Sequence, residues 1–300
     1  MTTYRILYNP LANNGKGLQT SEALRAMFPD DDLHFEDLTA IGDYASYFAD
    51  LSAGDVVILC GGDGTLNRFI NDTEGLTLNR EILYFAAGSG NDFRHDVCGA
   101  DEENKPFSLA KYIRDLPTVT VKDKTYRFLN GIGYGIDGYC CEVGDKLRGE
   151  GKKDINYASI AIKGLLFHYK PTNAVVTVDG VKHEYKKVWL APTMNGRFYG
   201  GGMMPTPDQV RNGGKLSTML FHGSGKLKTL MIFPSIFKGE HIKHQRVVHV
   251  LTGHTITVEF DRPTALQIDG ETILGVTKYT VYGSRNAARS AAKAKEAAMA

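Results

Sequence analysis

Cysteine is scarce in this chain, tryptophan scarcer, and excess charge of either sign is missing. The four cysteines, Cys60, Cys98, Cys140 and Cys141, include no CxxC pair, and the two that are adjacent cannot easily bridge each other. A disulfide framework and a cysteine zinc site are therefore excluded as organising devices, and a reducing, cytoplasmic setting is expected. Lys plus Arg number 35 against 34 Asp plus Glu, so no global field points to a nucleic-acid partner. No window approaches 18 consecutive apolar residues, and the opening MTTYRILYNP has no basic stretch followed by an apolar one, so neither a membrane span nor a leader is predicted. His222, His241, His244, His249 and His254 lack HExxH spacing and read as scattered surface or core residues.

Three hundred residues exceed what one ordinary core needs, which makes two domains the expectation. Over the first 120 residues, apolar runs of four to six alternate with longer amphipathic segments, the pattern of a βαβ sheet. Strands are predicted at 5–8, 33–38, 56–59 and 82–85, with helices at 18–27 and 44–51 and another starting at Thr65. Beyond about Val121 the texture changes to short strands separated by glycines. Asp179-Gly180 and Asp269-Gly270 have the chemistry of two-residue hairpin turns, so a mostly antiparallel second domain is predicted. A helical insert is expected at 154–169 from the spacing of Tyr157, Ile160, Ala161, Gly164, Leu165 and His168. The alanine-rich tail from Asn286 favours helix by propensity. The expected division is 1–122, 123–283 and a tail of 284–300.

The run CGGDGTLNRF, Cys60 to Phe69, sits where the third strand should end. Gly61-Gly62-Asp63-Gly64-Thr65 leading into a helix puts bare amides and a helix N-terminus at the carboxyl edge of a sheet, where a phosphate is stabilised. Asp63 could hold a magnesium ion or polarise an attacking hydroxyl. The plainer reading is a tight turn in which Asp63 caps the helix that follows. Two more polar loops, Asn9-Pro10-Leu-Ala-Asn-Asn-Gly15-Lys16-Gly17 and Gly88-Ser89-Gly90-Asn91-Asp92-Phe93, follow the first and fourth strands. In a doubly wound sheet the three would converge on one edge. Neither GxxxxGK[ST] nor a GxGxxG opening a helix is present, which weakens the P-loop and Rossmann readings.

NPLANNGKG, GGDGTLN and GSGNDF, in that order and spacing, resemble the diacylglycerol kinase catalytic domain family, which includes bacterial soluble lipid kinases and sphingosine and ceramide kinases. The resemblance continues through the glycine-rich Asn130–Asp137, the loop Asn195–Gly202 and the turn Ile268–Glu271, covering most of Tyr4 to Tyr282. It implies an α/β nucleotide-binding domain, a doubly wound sheet like those of NAD kinases and phosphofructokinases, followed by a mostly antiparallel β-sandwich domain. Carried over by position, Asn9, Asn13, Thr39, Gly62, Asp63, Gly64, Thr65, Asn67 and Ser89 would line an ATP site that Gly61 and Gly88 shape. Asn91 and Asp92 would lie between nucleotide and acceptor, and Glu271 matches the proton acceptor, a role for which Asp63 competes. The plainer reading of Glu271 is an exposed acid after a hairpin turn, since Val178-Asp-Gly-Val-Lys has the same turn without it.

One departure is Gly213, which stands where the family often carries an aspartate associated with magnesium. A protein-held magnesium is therefore not expected, whereas Mg2+ arriving with ATP is. Lys146, Arg148, Lys152 and Lys153, and the tail residues Arg285, Arg289 and Lys293, could attract an anionic membrane, although a solvated helix face is the plainer reading. The resulting expectation is an ATP-dependent kinase of a lipid hydroxyl, most naturally diacylglycerol, acting in the cytoplasm or at the inner membrane surface. The alternatives are another lipid, a sphingoid base or ceramide-like molecule, a small polyol, or a nucleotide-binding regulator without turnover. A homo-oligomer is compatible with all of these.

Overall fold

In a computed structural model, the structure describes residues 1–99, 102–152 and 155–284. The chain divides into two compact units, one from Met1 to Arg114 and one from Asp115 onward. The expected boundary at 122 falls after a strand, Thr118–Val121, that hydrogen-bonds within the second unit.

The first unit is built on β1 (Thr3–Tyr8), β2 (Asp32–Asp37), β3 (Val56–Gly61), β4 (Ile82–Ala86) and the short β5 (Phe107–Ser108), in the order β2-β1-β3-β4-β5. The first four are parallel and β5 runs antiparallel to β4. Ile58, Leu59 and Cys60 are fully buried, as a central strand covered on both faces demands. Tyr44–Asp50, Asp63–Asp72 and Asp92–Cys98 are helices. The helix expected over 18–27 is instead two short ones, Gly17–Ser21 and Leu24–Met27. Ser21 Oγ donates back to the Gly17 carbonyl, a bond that competes with the helical ladder and bends it. Gly17 itself lies so close to the Asn9 carbonyl that a Cβ would overlap it.

The second unit is antiparallel throughout its strand pairs. Its strands are β6 (Thr118–Val121), β7 (Lys124–Arg127), β8 (Gly131–Tyr134), β9 (Thr172–Val178), β10 (Val181–Val188), β11 (Thr193–Met194), β12 (Leu216–Phe221), β13 (Val248–Gly253), β14 (Thr255–Ile268) and β15 (Glu271–Tyr282). The order is β13-β12-β11-β8-β14-β15-β6-β7, with β9 pairing both β10 and β14. The 14-residue β14 shifts register between Glu259 and Leu266, so its first half pairs β9 and its last residues pair β8. That bend folds the strands around one core, in which Tyr134, Phe260 and Tyr279 are stacked or edge-on. Both predicted hairpins form, with Asp179 and Asp269 at φ 47° and 45° and glycines at 87° and 99°, as a two-residue primed turn requires.

The helical insert is Tyr157–Lys163 followed by a π-turn, Gly164–His168. At Gly164 a Cβ would stand 2.7 Å from the Tyr139 ring, a close approach that needs glycine. A longer helix, Ile136–Gly149, was not anticipated. Its signal is present in Ile136, Cys140, Val143 and Leu147, one helical stripe, but the glycines around it obscured that spacing. Those glycines are contacts: a Cβ on Gly138 would fall 1.9 Å from the Ala265 carbonyl oxygen. Lys153 and the tail, where a helix and a basic stripe are expected, lie outside the described residues.

Candidate active site

Parallel strands β1, β2, β3 and β4 deliver their following loops to one edge of the first sheet, and side chains tie the loops after β1, β3 and β4 together. Asn9, just past β1, donates through Nδ2 to Thr65 Oγ1 at 2.8 Å, and its own Oδ1 accepts from the Leu11 amide at 2.9 Å. Thr65 and Asn67 are buried on the inner side of the Asp63–Asp72 helix. Asn13 and Asn14 take left-handed φ values of 49° and 56° before Gly15 at 85°, and Asn13 Nδ2 donates to Thr20 Oγ1. Thr39, past β2, is exposed, and both its amide and its hydroxyl donate to Asp37 Oδ1.

The GGDGT and GSGND loops meet glycine to glycine. A Cβ on Gly88 would be 2.4 Å from the Gly62 Cα, and one on Gly61 would strike the Thr65 side chain at 2.5 Å. Gly64 differs: it is exposed, and a Cβ there would meet nothing within 4 Å. Nothing in the fold requires glycine at that second residue of the helix. The helix begins at Asp63, two residues before the expected Thr65, and its N-cap Gly62 offers no side-chain cap. A helix N-terminus of this kind presents amides along its axis, a setting that stabilises an anion.

The Asp63 carboxylate does cap a helix, but not the one that follows it. Oδ2 accepts from the Asp92 amide at 2.9 Å and Oδ1 from the Phe93 amide at 2.8 Å, the first turn of Asp92–Cys98. Asn91, left-handed at φ 53°, closes the GSGN loop on itself, its Oδ1 accepting from the Gly88 amide and its Nδ2 donating to the Gly88 carbonyl. Asp92 is buried and Ser89 exposed. Beneath them the fully buried Tyr84 donates to the Gly61 carbonyl at 2.8 Å, its hydroxyl pushed well above its ordinary pKa by burial, with the Asp63 charge adding to the shift. Burial likewise pushes the Cys60 thiol up to about 12, which removes it as a nucleophile.

Glu271 opens β15 in the second unit and is exposed. The turn it follows is held by more than backbone angles. The Asp269 carboxylate accepts from three successive amides, Leu129, Asn130 and Gly131, at the start of β8. Asp179, in the comparable turn, similarly accepts from His254 and Thr255. From the other side Gln267 Oε1 accepts from the Gly270 amide at 2.7 Å while its Nε2 donates to Asp137 Oδ2 at 3.0 Å. The Asp137 carboxylate is enclosed although the residue as a whole is only half-buried, and burial pushes it up to about 6, the Gln267 hydrogen bond opposing. The buried Tyr199 hydroxyl lies near it without reaching strict hydrogen-bond geometry. A side chain at Gly133 would coincide with that carboxylate, which explains the glycine.

Two residues before Gly213, the Arg211 guanidinium donates to the Leu129 carbonyl at 2.6 Å and to Asn130 Oδ1 at 2.7 Å. The segment that includes Gly213 thus brings a fixed cation to these oxygens. Among the described residues no three His, Cys, Asp or Glu side chains gather closely enough to hold a metal ion. Asp137, Gln267 and Arg211 were missed from sequence because their partners are more than 80 residues away.

Residues 3–119 match the model of the diacylglycerol kinase catalytic domain, and residues 130–282 match that of the YegS C-terminal NAD kinase beta sandwich-like domain. A diacylglycerol kinase of Mycobacterium tuberculosis (strain ATCC 25618 / H37Rv) is 27% identical over 201 residues, 64% of this chain. The chain spans 63% of the length of that relative. A crystal structure of a diacylglycerol kinase from Bacillus anthracis str. Sterne, 20% identical, covers 94% of this chain and 93% of that one with a TM-score of 0.56. Two further structures from the same source reach 0.63 and 0.61, likenesses of fold. The glycine loops, the α/β sheet and the antiparallel unit therefore have one common explanation: the chain belongs to the family in which a diacylglycerol kinase catalytic domain is followed by a YegS C-terminal NAD kinase beta sandwich-like domain.

Proposed function

We propose that this chain is an ATP-dependent lipid kinase, transferring the γ-phosphoryl group to a lipid hydroxyl, with diacylglycerol as the acceptor. One observation carries the nucleotide half of the reading. Three loops at one sheet edge are locked to each other by their own side chains, yet the exposed Gly64 at the start of a ten-residue helix serves no packing need. The amides and the dipole of a helix N-terminus suit phosphate oxygens. Asn9, Asn13, Thr39, Gly61, Gly62, Gly64, Thr65, Asn67, Gly88 and Ser89 make up the proposed nucleotide region. Asn91 and Asp92 are its boundary toward the acceptor.

Asp63 acts in this reading by holding the Asp92–Cys98 helix in place, since both of its oxygens accept amides there. Glu271 is then the better proton acceptor, an exposed carboxylate on a turn clamped by Asp269 and Gln267. As the lipid hydroxyl attacks, its proton passes to the Glu271 carboxylate. Mg2+ accompanying ATP would neutralise the β- and γ-phosphates. The lipid acceptor also implies work at a membrane surface; among the described residues no helix is long and apolar enough to cross one.

The experiment is transfer from labelled ATP to extracted lipids and to small polyols, with wild type and Glu271→Gln. The expected result is a labelled phospholipid product in the wild type and a rate about 10² to 10⁴ lower in the variant, with ATP affinity unchanged. ATP binding without any labelled acceptor would support a regulator instead. Loss of ATP affinity in step with activity would move Glu271 to the nucleotide site.

A further inference from the structure

Gly213 stands where the family often carries a magnesium-linked aspartate, and the residues around it form a different device. Three backbone carbonyl oxygens, those of Asn195, Val210 and Lys215, converge on one buried atom, the Nε2 of Gln209, which donates to them at 3.3, 3.1 and 2.9 Å. An aspartate at position 213 would start beside the same group, since a Cβ there would stand 3.2 Å from the Val210 carbonyl oxygen. Carbonyl oxygens gathered away from water need a positive partner. A hard cation is one solution, held at about 2.0–2.6 Å by roughly six or more oxygens. A side-chain NH2, with two hydrogens to share, is another.

The residues present do not fit an ion. Nε2 stands where the three oxygens meet, at hydrogen-bond rather than coordination distances, and position 213 has no carboxylate to add charge. What the amide secures reaches the Glu271 turn. Asn195, fixed through its carbonyl by Gln209, donates through Nδ2 to the Leu129 carbonyl at 2.9 Å and through its amide to the Asn130 carbonyl at 2.9 Å. Arg211, one residue past Val210, adds its guanidinium to the Leu129 carbonyl and Asn130 Oδ1. The amides of the same strand start, Leu129 to Gly131, bond the Asp269 carboxylate of the turn that Glu271 follows. Gln209 thus holds the carbonyl side of a segment whose amide side carries that turn.

We propose that the Gln209 side-chain amide takes the place of a structural divalent cation, so that the second unit holds its 195–215 loops and the Glu271 turn without metal. The proposal goes beyond the kinase reading and is tested without nucleotide or turnover, so the two can fail separately. Thermal unfolding of the wild type is followed in chelator and in about 5 mM Mg2+, Ca2+ or Mn2+, where an ion bound to the folded state would raise the midpoint. No shift is expected. Gln209→Glu keeps the side chain's length but sets an oxygen among the three carbonyls, so in chelator its midpoint should fall by about 4–8 °C. With a carboxylate supplied, the oxygens become a cation site, and divalent ions should restore much of that loss. Gln209→Met, of similar volume but without a donor, should fall as well and ignore the ions. A wild-type midpoint raised by divalent ions overturns the proposal, and that measurement stands even where a variant fails to fold. Gln209→Glu or Gln209→Met as stable as wild type in chelator also overturns it, by showing that the NH2 is not needed. A destabilised Gln209→Glu that none of the three ions restores overturns it too, since the oxygens would then not be arranged for a cation.

Discussion

Gly64→Ala separates a nucleotide loop from a bare turn more cleanly than any other change at the sheet edge. The added methyl meets nothing within 4 Å, the residue is exposed, and its φ is not left-handed, so the fold has no objection to alanine. Within a helix alanine exceeds glycine by about 1 kcal/mol, and in the first turn by less, so the melting temperature should hold or rise slightly. A phosphate oxygen bonded to the amides at this terminus would meet the methyl. Losing one hydrogen bond to a charged group costs about 1.5–3 kcal/mol, or roughly 10- to 150-fold in ATP dissociation constant. Gly88→Ala provides the contrast. Its methyl would lie 2.4 Å from the Gly62 Cα, backbone against backbone, and relieving that overlap should destabilise by about 1–3 kcal/mol before any ligand is added. Calorimetric titration with Mg2+–ATP and thermal melts of both variants supply the two readouts. Undiminished ATP affinity in Gly64→Ala would refute the assignment of this helix N-terminus, and a wild-type melt for Gly88→Ala would refute the glycine contact.

Asp63→Asn leaves one acceptor oxygen and faces the Asp92 or Phe93 amide with an NH2, so the first unit should lose about 1.5–3 kcal/mol and nucleotide affinity should fall with it; urea unfolding beside ATP titration checks whether the loss is structural. Asp269→Asn disrupts a carboxylate that accepts three amides and should cost about 2–4 kcal/mol, whereas Asp179→Asn should cost less, because Oδ1 alone can keep both the His254 and Thr255 bonds. Equal melting temperatures for those two variants would count against the three-amide clamp. Asp137, pushed up to about 6, keeps its proton longer folded than unfolded, so it makes stability fall as pH rises from about 4 to about 6 and then level off. Asp137→Asn should flatten that window and add about 1–3 kcal/mol at neutral pH, which denaturant unfolding across the range would show.

The two-unit organisation, the parallel strands and both hairpins were legible in the sequence because each depends on local signals. An apolar run of four to six residues needs cover on both faces, and Asp-Gly satisfies two left-handed positions whatever lies around it. The convergence of the GGDGT and GSGND loops was legible too, since parallel strands must deliver their following loops to the same edge. The tertiary structure decided what the side chains on those loops do. Asp63 reads as a cap for its own helix, but its oxygens face the amides of residues 29 and 30 positions away. Asp269 reads as a turn former, but it clamps a strand start some 140 residues earlier. The Ile136–Gly149 helix was hidden by glycines whose purpose is visible only against the Ala265 carbonyl and the Asp137 carboxylate. Nor could spacing alone say that Leu227 and Met231 stand outward while Thr229 and Ile232 stand inward. Turn dihedrals and hydrophobic period belong to neighbours along the chain, whereas a carboxylate's partner, a glycine's contact and a side chain's exposure belong to whatever the fold brings within a few ångströms.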